Sequence, residues 1–355
     1  MADQRLGVAL VGLGRSGQFH LTSVRSLPMA VRLAWVVDVD EERCKKEVAE
    51  FGCKWATTID EALADPQVHI VVIASTTDTH FPFIMKALEA RKSVFTEKPI
   101  SHEVKECQDA VNLALKVDLP FVCGYQRRKD HHFIELHRQI NEGVVGRLKV
   151  IKSCSRDNPL PPMEYLRTSG GIFQDMLIHD YDMQDWLSGG QAPVSVTSVG
   201  HAYNEEIAAM PDLDTVAVLC KYESGLITMT DTCRDAAYGY DQRVEAFGEL
   251  GMLTARNELT SSVEVATAAG HQLPPAKFSF AQRYEVAYLR ELTDFVALVK
   301  AGSNSRAHRE EQEYMKRHPR IVKTAVAAEL SWRLNRQVNL SEDLDALMKS
   351  CGMDH

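Results

Sequence analysis

The sequence predicts an α/β domain built on a doubly wound parallel sheet, followed by an α+β domain with a large, mostly antiparallel open sheet. Three observations predict it. Short β-branched or apolar runs alternate with helical patterns as far as about residue 125. The first of these runs leads straight into a glycine-rich loop. From about residue 147, strand patterns follow one another with no helical pattern between them. A chain of 355 residues is comfortable for two domains, and the division is expected at 1–125 and 126–355.

Taken in order, strands are expected at 8–11, 33–37, 70–74, 93–96 and 121–123. Helices are expected at 18–26, 41–51, 83–90 and 101–117, where apolar residues recur at helical spacing. Pro28, Pro66 and Pro120 fall between these elements, where a missing backbone donor does least harm. In the second half, 147–155, 194–200, 216–222, 226–233, 243–247 and 251–255 read as longer strands. Asn204-Glu205, Glu223-Ser224-Gly225 and Glu249-Leu250-Gly251 supply turn chemistry between them. Amphipathic helical patterns at 283–299 and 321–334 close the chain, and the charged stretch 303–318 reads as a solvated helix or loop.

Composition excludes several classes of function. Lys plus Arg number 40 against 49 for Asp plus Glu, a net charge of -9, which disfavours nucleic acid and anionic membrane surfaces as partners. The apolar runs are strand-length, far short of the roughly 20 residues that span a bilayer. The first run carries neither a charged leader nor a small-residue cleavage site, so no signal peptide is expected. Eight cysteines are scattered without a Cys-x-x-Cys pair or a Cys/His cluster at zinc spacing. They read as buried thiols of a cytoplasmic protein, and no metal site is expected.

Gly12-Leu13-Gly14-Arg15-Ser16-Gly17 is a Gly-x-Gly-x-x-Gly that follows a strand pattern and opens a helical one, the context of a Rossmann dinucleotide loop. Gly12 permits the tight turn, Gly14 lets backbone approach a pyrophosphate, and Gly17 lets the helix pack close to the strand. The N–H groups of the helix start, at Arg15 and Ser16, face the phosphates. Asp38 ends the second strand pattern 21 residues after Gly17. A carboxylate there accepts from ribose hydroxyls and repels a 2′-phosphate, favouring NAD over NADP; Arg43 nearby weakens that preference. Thr76, Thr77 and His80 follow the strand that ends near residue 74. They either line ribose and nicotinamide or, as Thr77 and Asp78, cap the next helix, with His80 structural.

Glu97-Lys98-Pro99 lies directly after another strand of the same sheet, hence at the same carboxyl-end edge. Asp175 and His179 are four apart in a strongly apolar stretch that includes Ile172, Met176 and Ile178. On one helix that spacing stacks carboxylate and imidazole on one face. A core Asp–His hydrogen bond accounts for the pair; so does chemistry. Oxidising a secondary alcohol with NAD releases a hydride and a hydroxyl proton, and histidine is the natural proton acceptor near neutral pH. A cation beside the oxygen, Lys98, stabilises developing alkoxide. Asp175 would orient Lys98 or His179 and balance their charge, and Asp180 is a further candidate for a substrate hydroxyl.

With these residues assembled, the chain resembles the Gfo/Idh/MocA oxidoreductases over about residues 5–300, and within them the myo-inositol 2-dehydrogenases. The resemblance rests on the glycine loop, on Glu97-Lys98-Pro99 and on Gly170-Gly171-Ile172-Phe173-x-Asp175-x-x-Ile178-His179-Asp180. Ser155-Arg156-Asp157, Tyr238-Gly239-Tyr240-Asp241-Gln242-Arg243 and Arg283-Tyr284-x-x-Ala287-Tyr288 also match. It implies a Rossmann domain and an α+β domain that binds substrate and assembles homodimers or homotetramers through its open sheet. It implies Lys98, Asp175 and His179 as the catalytic set, with Glu97 and Lys98 beside the cofactor NAD. Substrate hydroxyls would be met by Arg127, Asn158 and Tyr240. The implied reaction is oxidation of a cyclitol, myo-inositol to its 2-keto product scyllo-inosose. Another cyclitol, a sugar or a sugar acid is the nearest rival, and a non-catalytic NAD-binding sensor is the rival of a different class. Gln126 stands where relatives often carry Asn, and 157–165 belongs to a variable substrate mouth.

Overall fold

The computed structural model describes residues 4–353, which fall into two compact units. One runs to Lys129 and regains Glu285–Pro319; the other is Asp130–Tyr284 with the chain from Arg320 on. The expected division placed everything after 125 in one domain. The difference arises because the helix Glu285–Ala301 lays an apolar stripe, Leu292, Phe295 and Val296, into the core of the first unit.

That first unit is a parallel sheet of β1 (Leu6–Val11), β2 (Val31–Val37), β3 (Lys54–Ala56), β4 (Ile70–Ile73), β5 (Ser93–Glu97) and β6 (Phe121–Gly124), in the order β3-β2-β1-β4-β5-β6. Between the strands run α1 (Arg15–Arg25), α2 (Glu41–Phe51), α3 (Asp60–Ala64), α4 (Thr77–Glu89) and α5 (Val104–Val117). Strands such as β4, buried at every position, read as unbroken apolar runs because helices cover both faces. The order reverses between β1 and β4, and the crevice outside that point is where such sheets bind ligands.

The second unit holds β7 (Leu148–Arg156), β8 (Pro193–His201), β9 (Thr215–Tyr222), β10 (Ile227–Cys233), β11 (Asp241–Gly248) and β12 (Met252–Ala255). The exposed hairpin β13 (Val265–Thr267) and β14 (Gly270–Gln272) stands apart from this sheet, and β15 (Val338–Asn339) closes its edge beside β8. The sheet order is β12-β11-β7-β10-β9-β8-β15, parallel at β7–β10 and antiparallel at the other pairs. In β9 and β10, buried and exposed residues alternate, so one sheet face carries the core and the other is open.

Two local expectations change. Asn204-Glu205 begins a short helix, Glu205–Ala208, with Asn204 accepting from the N–H groups of Glu206 and Ile207. The charged stretch is a helix, Arg306–Met315, but it is not merely solvated: His308, Tyr314 and Met315 are buried, and His308 meets Asp118 at 3.0 Å. No helix among the described residues is long and apolar enough to cross a membrane.

Candidate active site

The glycine loop joins β1 to α1. Gly12 adopts φ +90°, and a Cβ there would lie 2.6 Å from the backbone of Ala74. Gly14 is the residue just before α1; no side chain caps the helix, and a Cβ on Gly14 would meet nothing within 4 Å. An uncapped helix start above an open backbone suits a pyrophosphate. Arg15 is exposed and Ser16 half-buried at that start, and Gly17 sits so close that a Cβ would fall 2.1 Å from the carbonyl oxygen of Gly12.

Asp38 leaves β2 and turns back to the loop: its Oδ2 accepts from the N–H of Leu13 at 2.7 Å and its Oδ1 from that of Asp40 at 2.9 Å. A carboxylate has about four lone-pair directions, so two N–H contacts leave capacity for ribose hydroxyls. Arg43 pairs with Asp40 at 3.1 Å, which diverts it from a 2′-phosphate. The residues present therefore fit NAD.

Thr76 immediately precedes α4 and caps it with no side-chain bond, at the carboxyl end of β4 across the switch point, and Thr77 is the first residue of the helix. Ser75 and Thr79 share a hydroxyl contact of 2.6 Å beneath them. His80 is buried, with Nδ1 2.7 Å from the carbonyl of Pro99 and Nε2 3.2 Å from that of Ser75. Burial lowers its pKa while the two carbonyls act in the opposite sense, and the ring sits between the loop after β4 and the loop after β5.

Lys98 is half-buried at the carboxyl end of β5, and the Lys98–Pro99 peptide is cis. Glu97 is buried and lies 2.7 Å from Nε2 of His20, which is wholly buried against the edges of Phe95 and Tyr288. Sequence reading missed His20, although it falls with Gly17, Leu21 and Val24 on the buried stripe of α1, where a polar ring needs a partner. Arg127 is buried in the 3-10 turn Gln126–Lys129 that follows β6, and Arg128 stacks 3.5 Å from the centre of the Tyr314 ring.

In the second unit, Asp175 and His179 do not share one helix as expected. Gly171–Asp175 ends, and Ile178–Leu187 begins, on either side of a break at Met176 and Leu177. There the N–H of Leu177 reaches Ile172, five residues back, while His179 and Asp180 bond only three back. That irregular turn removes the one-above-the-other spacing of a continuous helix. His179 is half-buried, while Asp180 is buried.

Asp175 is buried and accepts from the Tyr165 hydroxyl at 2.7 Å and from Arg234 Nη1 at 3.1 Å. Neither partner was anticipated. Arg234 carries no local signal, since its partners lie tens of residues away in sequence. Asn158 donates to the carbonyl of Phe278 at 2.9 Å, and Tyr240 is buried edge-on to Tyr284 at 5.8 Å.

The other signature residues knit the sheet. Arg156 pairs with Asp231 and meets the Tyr238 hydroxyl at 2.9 Å; that hydroxyl donates to Asp241 at 2.6 Å, and Arg243 also pairs with Asp241. Burial would raise the Asp241 pKa, but Arg243, Tyr238 and Asn257 hold it well below the usual range. Among the described residues, His131, His132 and Glu258 bring potential ligand atoms within 4.8 Å of one another. Glu258 is already paired with Arg283 at 3.3 Å, and the two rings are tilted against each other with centres 3.9 Å apart, so the group reads as a salt-bridge network.

Comparison with known proteins agrees with this architecture. Residues 6–125 match the oxidoreductase family with an NAD-binding Rossmann fold, and residues 133–254 match the GFO/IDH/MocA C-terminal domain. The chain is 34% identical over 299 residues to myo-inositol 2-dehydrogenase of Thermotoga maritima, covering 84% of this chain and 89% of that one. It is 35% identical over 295 residues to inositol 2-dehydrogenase of Rhizobium meliloti, covering 83% and 88%. A scyllo-inositol dehydrogenase from Lactobacillus casei, solved with NAD(H) and scyllo-inositol, superposes with a TM-score of 0.85 at 26% identity, covering 95% of this chain and all of that one. With the glycine loop, the uncapped start of α1 and the Asp38 carboxylate in place, the chain belongs to the GFO/IDH/MocA family of NAD-dependent oxidoreductases.

Proposed function

We propose that the chain oxidises a secondary alcohol of a cyclitol with NAD, taking myo-inositol to scyllo-inosose. One observation carries the reading: about a third of the residues are identical, over most of both chains, to two proteins named as inositol dehydrogenases. The bound cofactor supplies the acceptor for the hydride. Everything else falls to the chain. Gly12, Gly14, Gly17 and the N–H groups at Arg15 and Ser16 hold the pyrophosphate; Asp38 holds the ribose; Thr76 and Thr77 line the loop beyond β4, where His80 braces Pro99. His179 takes the hydroxyl proton on an imidazole nitrogen as the C–H bond breaks. The Lys98 ammonium offsets negative charge developing on the oxygen, and Asp175 balances the cation formed. Arg127, Asn158 and Tyr240 contact the remaining hydroxyls.

The test is reduction of the nicotinamide by purified protein given NAD and a panel of cyclitols, pyranoses and sugar acids. Myo-inositol is expected to give the highest kcat/KM. Lys98→Ala and His179→Ala are expected to abolish turnover while NAD still binds. Normal turnover by either folded variant refutes the assignment of roles. Binding of NAD without turnover across the panel refutes the enzyme reading in favour of a sensor. Scyllo-inositol is the second reading, supported by the Lactobacillus casei structure, and its relative rate decides it. We further propose assembly into homodimers or homotetramers through the open sheet face, where Leu219, Ile227, Met229 and Phe247 are exposed.

A further inference from the structure

Asp175 is gripped from inside its own unit by groups with no part in the chemistry above. Arg234 follows β10 directly and its side chain is wholly buried. Its Nη1 donates to Asp175 Oδ2 at 3.1 Å and its Nη2 to Asp212 Oδ2 at 3.2 Å. Asp212 also accepts, through Oδ1, from the N–H of Ile172 at 2.8 Å, in the first turn of the helix that delivers Asp175. The contacts close a ring: the helix start is tied to Asp212, Asp212 to Arg234, and Arg234 to the helix end at Asp175.

Electrostatics makes the ring directional. Burial alone would lower the pKa of the guanidinium, but Asp175 and then Asp212, with Asp157 contributing, outweigh burial and raise it. Arg234 is therefore a permanent cation, and a permanent cation in contact favours the ionised form of Asp175. Tyr165 bonds the other oxygen of the same carboxylate at 2.7 Å, so both oxygens are oriented. The planar fork of arginine suits two separate carboxylates in a way that a lysine point charge does not.

We propose that Arg234 and Asp212 are positioning residues that keep Asp175 ionised and fixed, so that its carboxylate balances the proton taken up by His179. This rests on the function proposed above. The experiment uses the full chain carrying Arg234→Met, Arg234→Lys or Asp212→Asn, with folding checked by circular dichroism and NAD affinity by calorimetry. Kinetics are followed on the preferred cyclitol from about pH 6 to about pH 10. Arg234→Met is expected to lower kcat about 100-fold near neutral pH with NAD affinity unchanged, and the deficit to shrink as rising pH ionises Asp175 again. Arg234→Lys restores part of the rate, and Asp212→Asn, the variant used if Arg234→Met does not fold, falls between. A folded Arg234→Met with wild-type kcat overturns the proposal, as does a deficit equal at every pH and not relieved by lysine. Carbon-13 titration of labelled aspartates, with Asp175→Asn for assignment, separates the two readings. A raised Asp175 pKa in the folded variant sustains the clamp even if no cyclitol is a substrate, and an unchanged pKa refutes it.

Discussion

Alanine at Gly14 and alanine at Gly17 are expected to fail in different ways, although the two positions belong to one loop. At Gly14 the backbone is already that of an ordinary residue, φ -68°, and the added methyl meets nothing within 4 Å. Alanine there restricts the unfolded chain, a gain of about 0.4–1 kcal/mol, and loses a similar amount because alanine is a poorer helix-start residue than glycine. Thermal stability should therefore barely move. Binding should move a great deal, because under the proposed placement the methyl stands where the pyrophosphate approaches the N–H groups of α1. Each such bond to a charged oxygen is worth about 1.5–3 kcal/mol, so losing one weakens NAD about 10- to 100-fold. At Gly17 the methyl would lie 2.1 Å from the carbonyl oxygen and 2.9 Å from the carbonyl carbon of Gly12, backbone atoms that cannot rotate away. Overpacking of that kind costs about 1–3 kcal/mol or more and lowers the melting temperature by several degrees. Calorimetric titration with NAD and thermal melts of both variants make the comparison. Gly14→Ala with wild-type affinity refutes the proposed placement of the cofactor over this loop, and Gly17→Ala with an unchanged melt refutes the close packing of Gly17 on Gly12.

Three further outcomes are expected. Asp38→Ala removes the carboxylate that repels a 2′-phosphate and leaves the Leu13 and Asp40 N–H groups without it, so the NAD-over-NADP preference in kcat/KM should fall at least about tenfold. Burial, and then Arg128, push His318 down to about 3, so between the unfolded value and that point only the unfolded chain binds the proton. Its contribution to stability is full above about pH 6.5 and is lost as pH falls, about 2 kcal/mol by pH 5. Urea unfolding should show that His318→Gln loses less stability than the parent over this interval. Burial pushes the Cys53 thiol to about 11 and those of Cys154 and Cys220 to about 12, whereas Cys233 and Cys351 are half-buried. An aromatic disulfide reagent should therefore modify the native protein fast at no more than those last two positions.

Legibility in the sequence followed the range of the physics. The parallel strands β1 and β4 stood out because both sheet faces are covered and every residue is apolar, and β9 and β10 stood out because one face is open and residues alternate. The three-residue strand β3 and the five-residue α3 carry too few positions for any period to register. The break at Met176 and Leu177 was hidden for a related reason, since the residues on both sides of it are buried and the apolar pattern runs through without a gap. Which core an apolar stripe fills is not a local property either. Leu292, Phe295 and Val296 have the spacing of a core helix, but nothing near them says that the core is the one begun at β1. The candidate site divides along the same line. The glycine loop was readable because its steric demands act within a few residues; His20 and Arg234 were not, because what makes them stable is a carboxylate 77 or 59 residues away. A charge that is affordable only through a distant partner looks, in sequence, like any surface charge. Asp175 was chosen for its neighbour four residues on, yet contacts that hold its carboxylate come from Tyr165 and Arg234, which a local spacing does not reveal.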